Sequence, residues 1–232
     1  MNENRDRTAK VREAAAYTLT EAAHYLHLPP ATLRTWVLGR EYPTTAGNKD
    51  FSPLIKPASA KPPMLSFANL TEAHILRSLR TEHGVTVSAL RAALTYAQKT
   101  LGIERLLLSP ELRTDAGRVL LDRYGELIDL SASGQLAMRK LLEHYLKRVV
   151  WDERKVPIRL YPFVVGADSS DDRPIAIDPQ ISFGRPVVLS KGISTAAIAN
   201  RIDAGETIDE IAADYDLKPE EIEQAALYER AA

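Results

Sequence analysis

The sequence predicts a mainly α fold with short strands, an α+β chain built in three parts, and three observations lead there. Apolar residues recur at helical spacing in short runs that end at Pro, Gly, Asp, Asn, Ser or Thr. A Pro-, Gly-, Ser- and Thr-rich stretch, GREYPTTAGNKDFSPLIKPASAKPPML, separates two helical runs and carries strand-like pieces. Residues 168–232 break into three short helices with a capping signal at each start. The parts expected are 1–102, a connector at 103–167, and a trihelical unit at 168–232.

Composition narrows the function. The chain has 232 residues, 45% hydrophobic and 26% charged, values of an ordinary globular protein with a real core. It contains no cysteine, which removes disulfides and thiolate metal sites. The start, MNENRDRTAKVRE, lacks the apolar core of a signal peptide, and no apolar run is long enough to span a bilayer, so a cytoplasmic, soluble protein is expected. The net charge of -1 hides an asymmetry: +5 over residues 1–105, +2 over 106–167 and -8 over 168–232. A basic front and an acidic back place any nucleic-acid contact at the front.

In YTLTEAAHYLHLPPATLRTWVLGR, Tyr17 to Arg40, Thr20 is the expected N-cap of a first helix with Ala22, Ala23 and Leu26 on its apolar side. His27 and Leu28 make the turn, and Pro29-Pro30 opens a second helix over Ala31 to Leu38, with Leu33 and Val37 inward. Two short helices around a tight turn form a helix-turn-helix, in which the second helix faces a major groove; the plain alternative is a helical hairpin. Short strands are expected at Phe51 to Lys56 and Met64 to Phe67, as a wing whose Lys49, Lys56 and Lys61 reach phosphates or are merely solvated. Asn69-Leu70-Thr71-Glu72 then caps a helix with Ala73, Leu76 and Leu79 on its apolar side. Gly84 stops it, and a further helix runs from Val85 to Ala97.

Residues 17 to about 100 resemble the winged-helix DNA-binding domain of MerR-type regulators. Two runs carry the likeness: LTEAAHYLHLPPATLRTWV, with Leu33, Arg34 and Trp36 as its signature, and LSFANLTEAHILRSLRTEHGVTVSALRAAL, with its Gly84-Val85 turn. The resemblance implies that Arg34 contacts a phosphate, that Thr32 and Thr35 approach DNA, and that Trp36 packs under the recognition helix. Thr20 and Arg40, near the ends of the motif, complete the expected DNA-facing set. The pattern also departs from that family, because the wing is long and proline-rich and the extended dimerising helix is not evident.

The connector reads as strands at Arg118 to Asp122 and Glu126 to Leu130, an amphipathic helix from Gly134 to Trp151, and a strand from Ile158 to Val165. Its exposed surfaces could join two copies of the chain, and an operator-binding homodimer is expected. His144 stands alone. In the last part, a strand at Ile175 to Ile177 and a turn through Phe183-Gly184-Arg185-Pro186 precede the three helices. Ser194 or Thr195 caps the first, Thr207 with Glu210 the second, and Lys218-Pro219 opens the third; their apolar sides are Ile198 and Ile202, then Ile208, Ile211 and Ala212, then Ile222, Ala225 and Leu227.

This part resembles a small domain of formerly unknown function at the C-terminus of VapB-like antitoxins. The likeness runs through Ile177-Asp178-Pro179, Phe183-Gly184-Arg185-Pro186, Gly192-Ile193, Ala204-Gly205-Glu206, Asp214-Tyr215 and Ala225-Ala226. It implies the antitoxin of a type II pair, whose partner is a VapC-like PIN-domain ribonuclease and which represses its own operon. A stand-alone MerR-like regulator, with the acidic domain serving an effector or oligomerisation, is the other reading. No Walker A loop, dinucleotide fingerprint, HExxH or nucleophile elbow occurs, and neither an enzyme nor a cofactor or metal is expected. Neutralising a PIN ribonuclease requires filling or distorting a carboxylate-lined metal pocket, which a cation can do by pairing with it. Arg185, Lys191 and Arg201 are the candidates, unless they only pair with nearby acids. The acidic helices could instead meet a basic RNA-binding surface, and the two mechanisms predict opposite hot spots.

Overall fold

The computed structural model describes residues 10–44, 47–81, 91, 94–95, 98–99, 102–109, 146–154, 156–163 and 173–231. After a helical turn at 10–13, β1 (Tyr17–Thr18) leads into α1 (Leu19–Tyr25) and α2 (Pro30–Leu38). The cap of α1 is Thr18 and not Thr20. Its hydroxyl accepts from the Glu21 amide while the Glu21 carboxylate accepts from the Thr18 amide at 2.9 Å, a reciprocal capping box. His27 closes the turn in a left-handed conformation with φ 49°. Pro30 opens α2, so this helix begins one residue before the expected Ala31.

The wing also differs from expectation. Its strands are β2 (Arg40–Thr44) and β3 (Gly47–Phe51), paired antiparallel from Arg40 opposite Phe51 to Thr44 opposite Gly47. The return segment is fixed by the Trp36 carbonyl, which accepts from the amides of both Leu54 and Ile55. A second small sheet follows, in which β5 (Pro63–Leu65) lies between β1 and β4 (Ser59–Ala60). β1 therefore closes the end of the domain across about 45 residues of chain.

Helix α3 (Phe67–Thr81) starts earlier than expected, because Ser66 supplies the cap. Its hydroxyl accepts from the Asn69 amide, and Asn69 Oδ1 accepts from the Ser66 amide, each at 3.2 Å. The Gly84 stop, the Val85 to Ala97 helix in the main, the strands at Arg118 to Asp122 and Glu126 to Leu130, and most of the Gly134 to Trp151 helix lie outside the described residues. The end of that last segment is a strand, β6 (Val149–Trp151), and not helix.

Strand β6 opens a five-stranded antiparallel sheet in the order β6-β7-β8-β9-β10, with β7 (Pro157–Leu160), β8 (Ile175–Ile177), β9 (Pro186–Val188) and β10 (Ile193–Ser194). The connector and the C-terminal segment thus share one sheet. Ile177 packs into the front core with Tyr17, Leu33, Trp36, Phe67 and Leu160, whereas Ile175 packs into a back core with Val188, Ile198, Ile211, Ile222 and Tyr228. Over the back core lie α4 (Thr195–Asp203), α5 (Ile208–Tyr215) and α6 (Pro219–Arg230). Thr207 and Glu210 form the expected capping box of α5. On α6 the residue inside is Tyr228, fully buried, and Leu227 is 42% exposed. The architecture is α+β, with the helix-turn-helix at its N-terminal end.

A glycine joins the two halves. Gly184 has φ 78°, and a Cβ built there would sit 2.1 Å from the Tyr17 phenol oxygen. That oxygen is buried and has no hydrogen-bond partner among the described residues. Gly184→Ala is expected to destabilise the protein by about 1–3 kcal/mol, through the left-handed backbone and the clash together. Tyr17→Phe should cost little alone, since it removes an unpaired buried hydroxyl, and should recover part of the Gly184→Ala loss. Urea midpoints of the two single variants and the double variant check this; strict additivity would show that the contact is not formed.

Candidate nucleic-acid interface and the joint behind it

The helix-turn-helix divides by burial. Leu33, Trp36 and Val37 of α2 are buried, with Trp36 at 1% exposure under the helix. The opposite side carries exposed Arg34 and partly exposed Thr32 and Thr35. The Thr35 hydroxyl donates to the Ala31 carbonyl at 2.9 Å, which holds its methyl and oxygen at a fixed angle on the helix. Thr20 is exposed on the first turn of α1, and Arg40 is exposed at the first position of β2, directly after the Gly39 turn with φ 75°. Lys49 lies on β3 opposite Tyr42. Lys56 and Lys61 are exposed, but Lys61 sits at the β4–β5 turn and Lys56 on the return segment, so neither belongs to the β2–β3 wing. The Lys56 carbonyl accepts from Asn69 at 2.9 Å.

The three cations proposed for the C-terminal part have different surroundings. Arg201 is committed to the protein's own acids: it pairs with Glu206 and with Asp214, the latter at 2.8 Å, and lies over the Tyr215 ring at 4.9 Å. Lys191 pairs with Asp216, the left-handed residue that ends α5. Arg185 is exposed and forms no ion pair among the described residues. Its charge lies near Tyr25 and opposes the upward shift that burial gives that phenol.

Sequence reasoning missed the joint between α1 and α6. The Tyr228 hydroxyl donates to the Tyr25 carbonyl at 2.8 Å, His24 Nε2 lies 3.0 Å from Glu229, and the His27 ring meets the Tyr228 ring at a tilt of 43° with centroids 4.7 Å apart. Glu229 also accepts from the Thr195 hydroxyl at the start of α4. The contacts between α1 and α6 join residues 203 and 205 positions apart, so no local pattern announces them.

Ion pairs tie other separated segments together. Arg105 holds Glu72 of α3 through two hydrogen bonds of 2.9 and 2.7 Å and also meets Glu13. Arg12 pairs with Asp152, and Arg159 of β7 pairs with Asp178 after β8. Among the described residues no group of three or more His, Asp or Glu could hold a metal ion, and no helix is long and apolar enough to cross a membrane.

Residues 15–94 match a family described as "Putative DNA-binding HTH domain", and residues 175–228 match one described as "Protein of unknown function (DUF433)". The whole-length likeness decides the identity: the chain is 31% identical over 229 residues to "Putative antitoxin VapB45" of Mycobacterium tuberculosis H37Rv, covering 90% of this chain and 91% of the relative. The chain belongs to the VapB45 family. A second relative from the same organism, "Uncharacterized protein Rv2308", is 24% identical over 91% of this chain and 89% of its own. The crystal structure of Rv2018 from Mycobacterium tuberculosis superposes with a TM-score of 0.66 at 26% identity, covering 91% of this chain and 97% of that one.

Burial and the Arg77 charge push His27 down to about 4, with His24 acting in the same direction and Glu229 and the Tyr228 contact opposing. A histidine held neutral in the fold and charged in the unfolded chain makes stability fall with acid. The loss begins as pH drops through about 6.5 and is complete near 4. The urea midpoint, followed by tryptophan fluorescence, should therefore fall between pH 7 and pH 5. His27→Asn, which tolerates the left-handed backbone, should flatten that part of the profile; an unchanged slope would show that His27 does not titrate across the transition.

Proposed function

We propose that this member of the VapB45 family is the antitoxin of a type II pair, neutralising a VapC-like PIN-domain ribonuclease by direct contact and repressing its own operon by binding DNA. The carrying observation is whole-length identity to an antitoxin relative in a chain whose α2 turns Arg34, Thr32 and Thr35 outward beside a two-stranded wing. The DNA surface is a MerR-like winged helix in which Arg34 meets a phosphate, Thr32 and Thr35 approach base edges, and Arg40 and Lys49 extend contact along the wing. Thr20, Lys56 and Lys61 are peripheral to it. Two copies of the chain bind paired half-sites.

The back half, with its net charge of -8, is repelled by phosphate and serves the toxin. Lys191 and Arg201 are neutralised by their own carboxylates, and Arg185 is the cation left to meet carboxylates of a nuclease pocket. No step of bond-making is assigned to the chain; its action is occupancy of another protein and of DNA. Such a protein works where its operon and toxin are, in the cytoplasm.

Arg34→Ala should weaken operator binding by about 10-fold and lower the slope of log K against log salt by about one, with the fold intact because Arg34 is exposed. Fluorescence anisotropy across a salt series measures both; an unchanged slope would remove the phosphate contact. Induction of the neighbouring reading frame should arrest growth, and this chain should relieve the arrest and co-purify with the product. Absence of both arrest and complex would leave a stand-alone regulator. Point variants suit these tests better than removal of residues 168–232, which would tear out three strands of the shared sheet.

A further inference from the structure

The turn between β8 and β9 presents an aromatic ring to solvent on a backbone that bulky residues avoid. Phe183 is 92% exposed, far beyond Leu227 at 42%, Leu38 at 40% and Val11 at 36%. Ser182, Phe183 and Gly184 have φ of 46°, 57° and 78°, three left-handed residues in succession. A single exposed apolar side chain is common on protein surfaces and needs no explanation by itself. A phenylalanine fixed in the left-handed region is uncommon, and such positions persist where the surroundings over-determine them.

The surroundings do so here. Asp178, held by Arg159 at 2.9 Å, accepts from the Gln180 amide through its side chain and from the Ile181 amide through its carbonyl. The Gly184 amide donates to Ile181, the Arg185 amide donates to Ser182, and the Ser182 hydroxyl donates to the Gly192 carbonyl. Gly184 rests on Tyr17. Phe183 is therefore a pre-ordered knob, and two residues on stands the exposed Arg185, which forms no ion pair among the described residues.

We infer that Phe183 is the anchor by which this chain docks on its toxin, entering an apolar pocket one ring wide whose rim carries a carboxylate for Arg185. This deepens the antitoxin reading and rests on it. The physical case is that of an interface hot spot: an aromatic ring already ordered loses little freedom on binding, and its neighbouring charge fixes orientation. Charge complementarity gives the direction, because Arg185 is the one cation of the three proposed whose charge no neighbouring acid offsets among the described residues.

The test uses the full chain and, as the probe, the product of the neighbouring reading frame purified with it. Phe183→Ala should weaken the complex by about 30-fold or more and abolish growth rescue, while operator binding and thermal midpoint stay as in the parent. Arg185→Glu should weaken it further and restore binding in part at high salt. Phe183→Tyr, which keeps the ring, should retain most of the affinity and so separates docking from backbone effects. Parent-like affinity of Phe183→Ala, with the parent chain neutralising normally, would overturn the anchor and leave the antitoxin reading standing. Failure of the parent chain itself to bind the product would remove that reading and the anchor with it. A loss of self-association on light scattering, with toxin affinity unchanged, would make a second copy the occupant and overturn the assignment.

Discussion

The structure depends on the contact of Tyr17 with Gly184. Tyr17 is the first residue of the strand that closes the front domain, its ring meets Tyr25 edge-on at 6.1 Å, and its buried oxygen lies where any side chain at position 184 would begin. From that point the front and back halves are held in one relation. The Tyr25 carbonyl receives the Tyr228 hydroxyl, and Ile177 and Ile175 carry the shared sheet from one core to the other. Burial of Tyr228 keeps its phenol protonated far into alkali, so the donor at the joint is not lost at any ordinary pH.

What the sequence made legible was local. The Thr207–Glu210 capping box, the Pro30 and Pro219 openings and the inward pair Leu33 and Val37 follow from spacing within one or two turns, and the structure has them; Trp36, which the family resemblance placed under the helix, is buried there too. The Thr18 cap was also legible, since Glu21 stands three residues after it, but Thr20 competed for the same role. The wing was misplaced because REYPT and GNKDF carry few apolar residues, so no alternation marks them as strands, whereas the apolar residues of the next segment do suggest one.

The rest was invisible for a physical reason. Strand β7 finds its second partner in β8, across the boundary between connector and C-terminal part, through a pairing that local pattern does not specify. Tyr228 and not Leu227 lies inside, because Ile222, Ala225 and Tyr228, each three residues apart, form the face of α6 that packs on the back core. Phe183 reads in sequence as part of a turn, and nothing in the sequence says that the ring faces outward on a left-handed backbone. Of the candidate cations, residue type could not distinguish Arg185 from Lys191 and Arg201, because the difference lies in which carboxylates the fold brings alongside.

The five-stranded sheet bears on how such a protein can change over time. A crossover between β7 and β8 would hand each descendant a raw strand edge, unsatisfied along its amides and carbonyls and prone to pair with whatever chain is near. Tyr17 and Gly184 would meet strangers as well. Front and back therefore do not lend themselves to genetic shuffling: change at either end must come by substitution within an inherited whole, residue by residue.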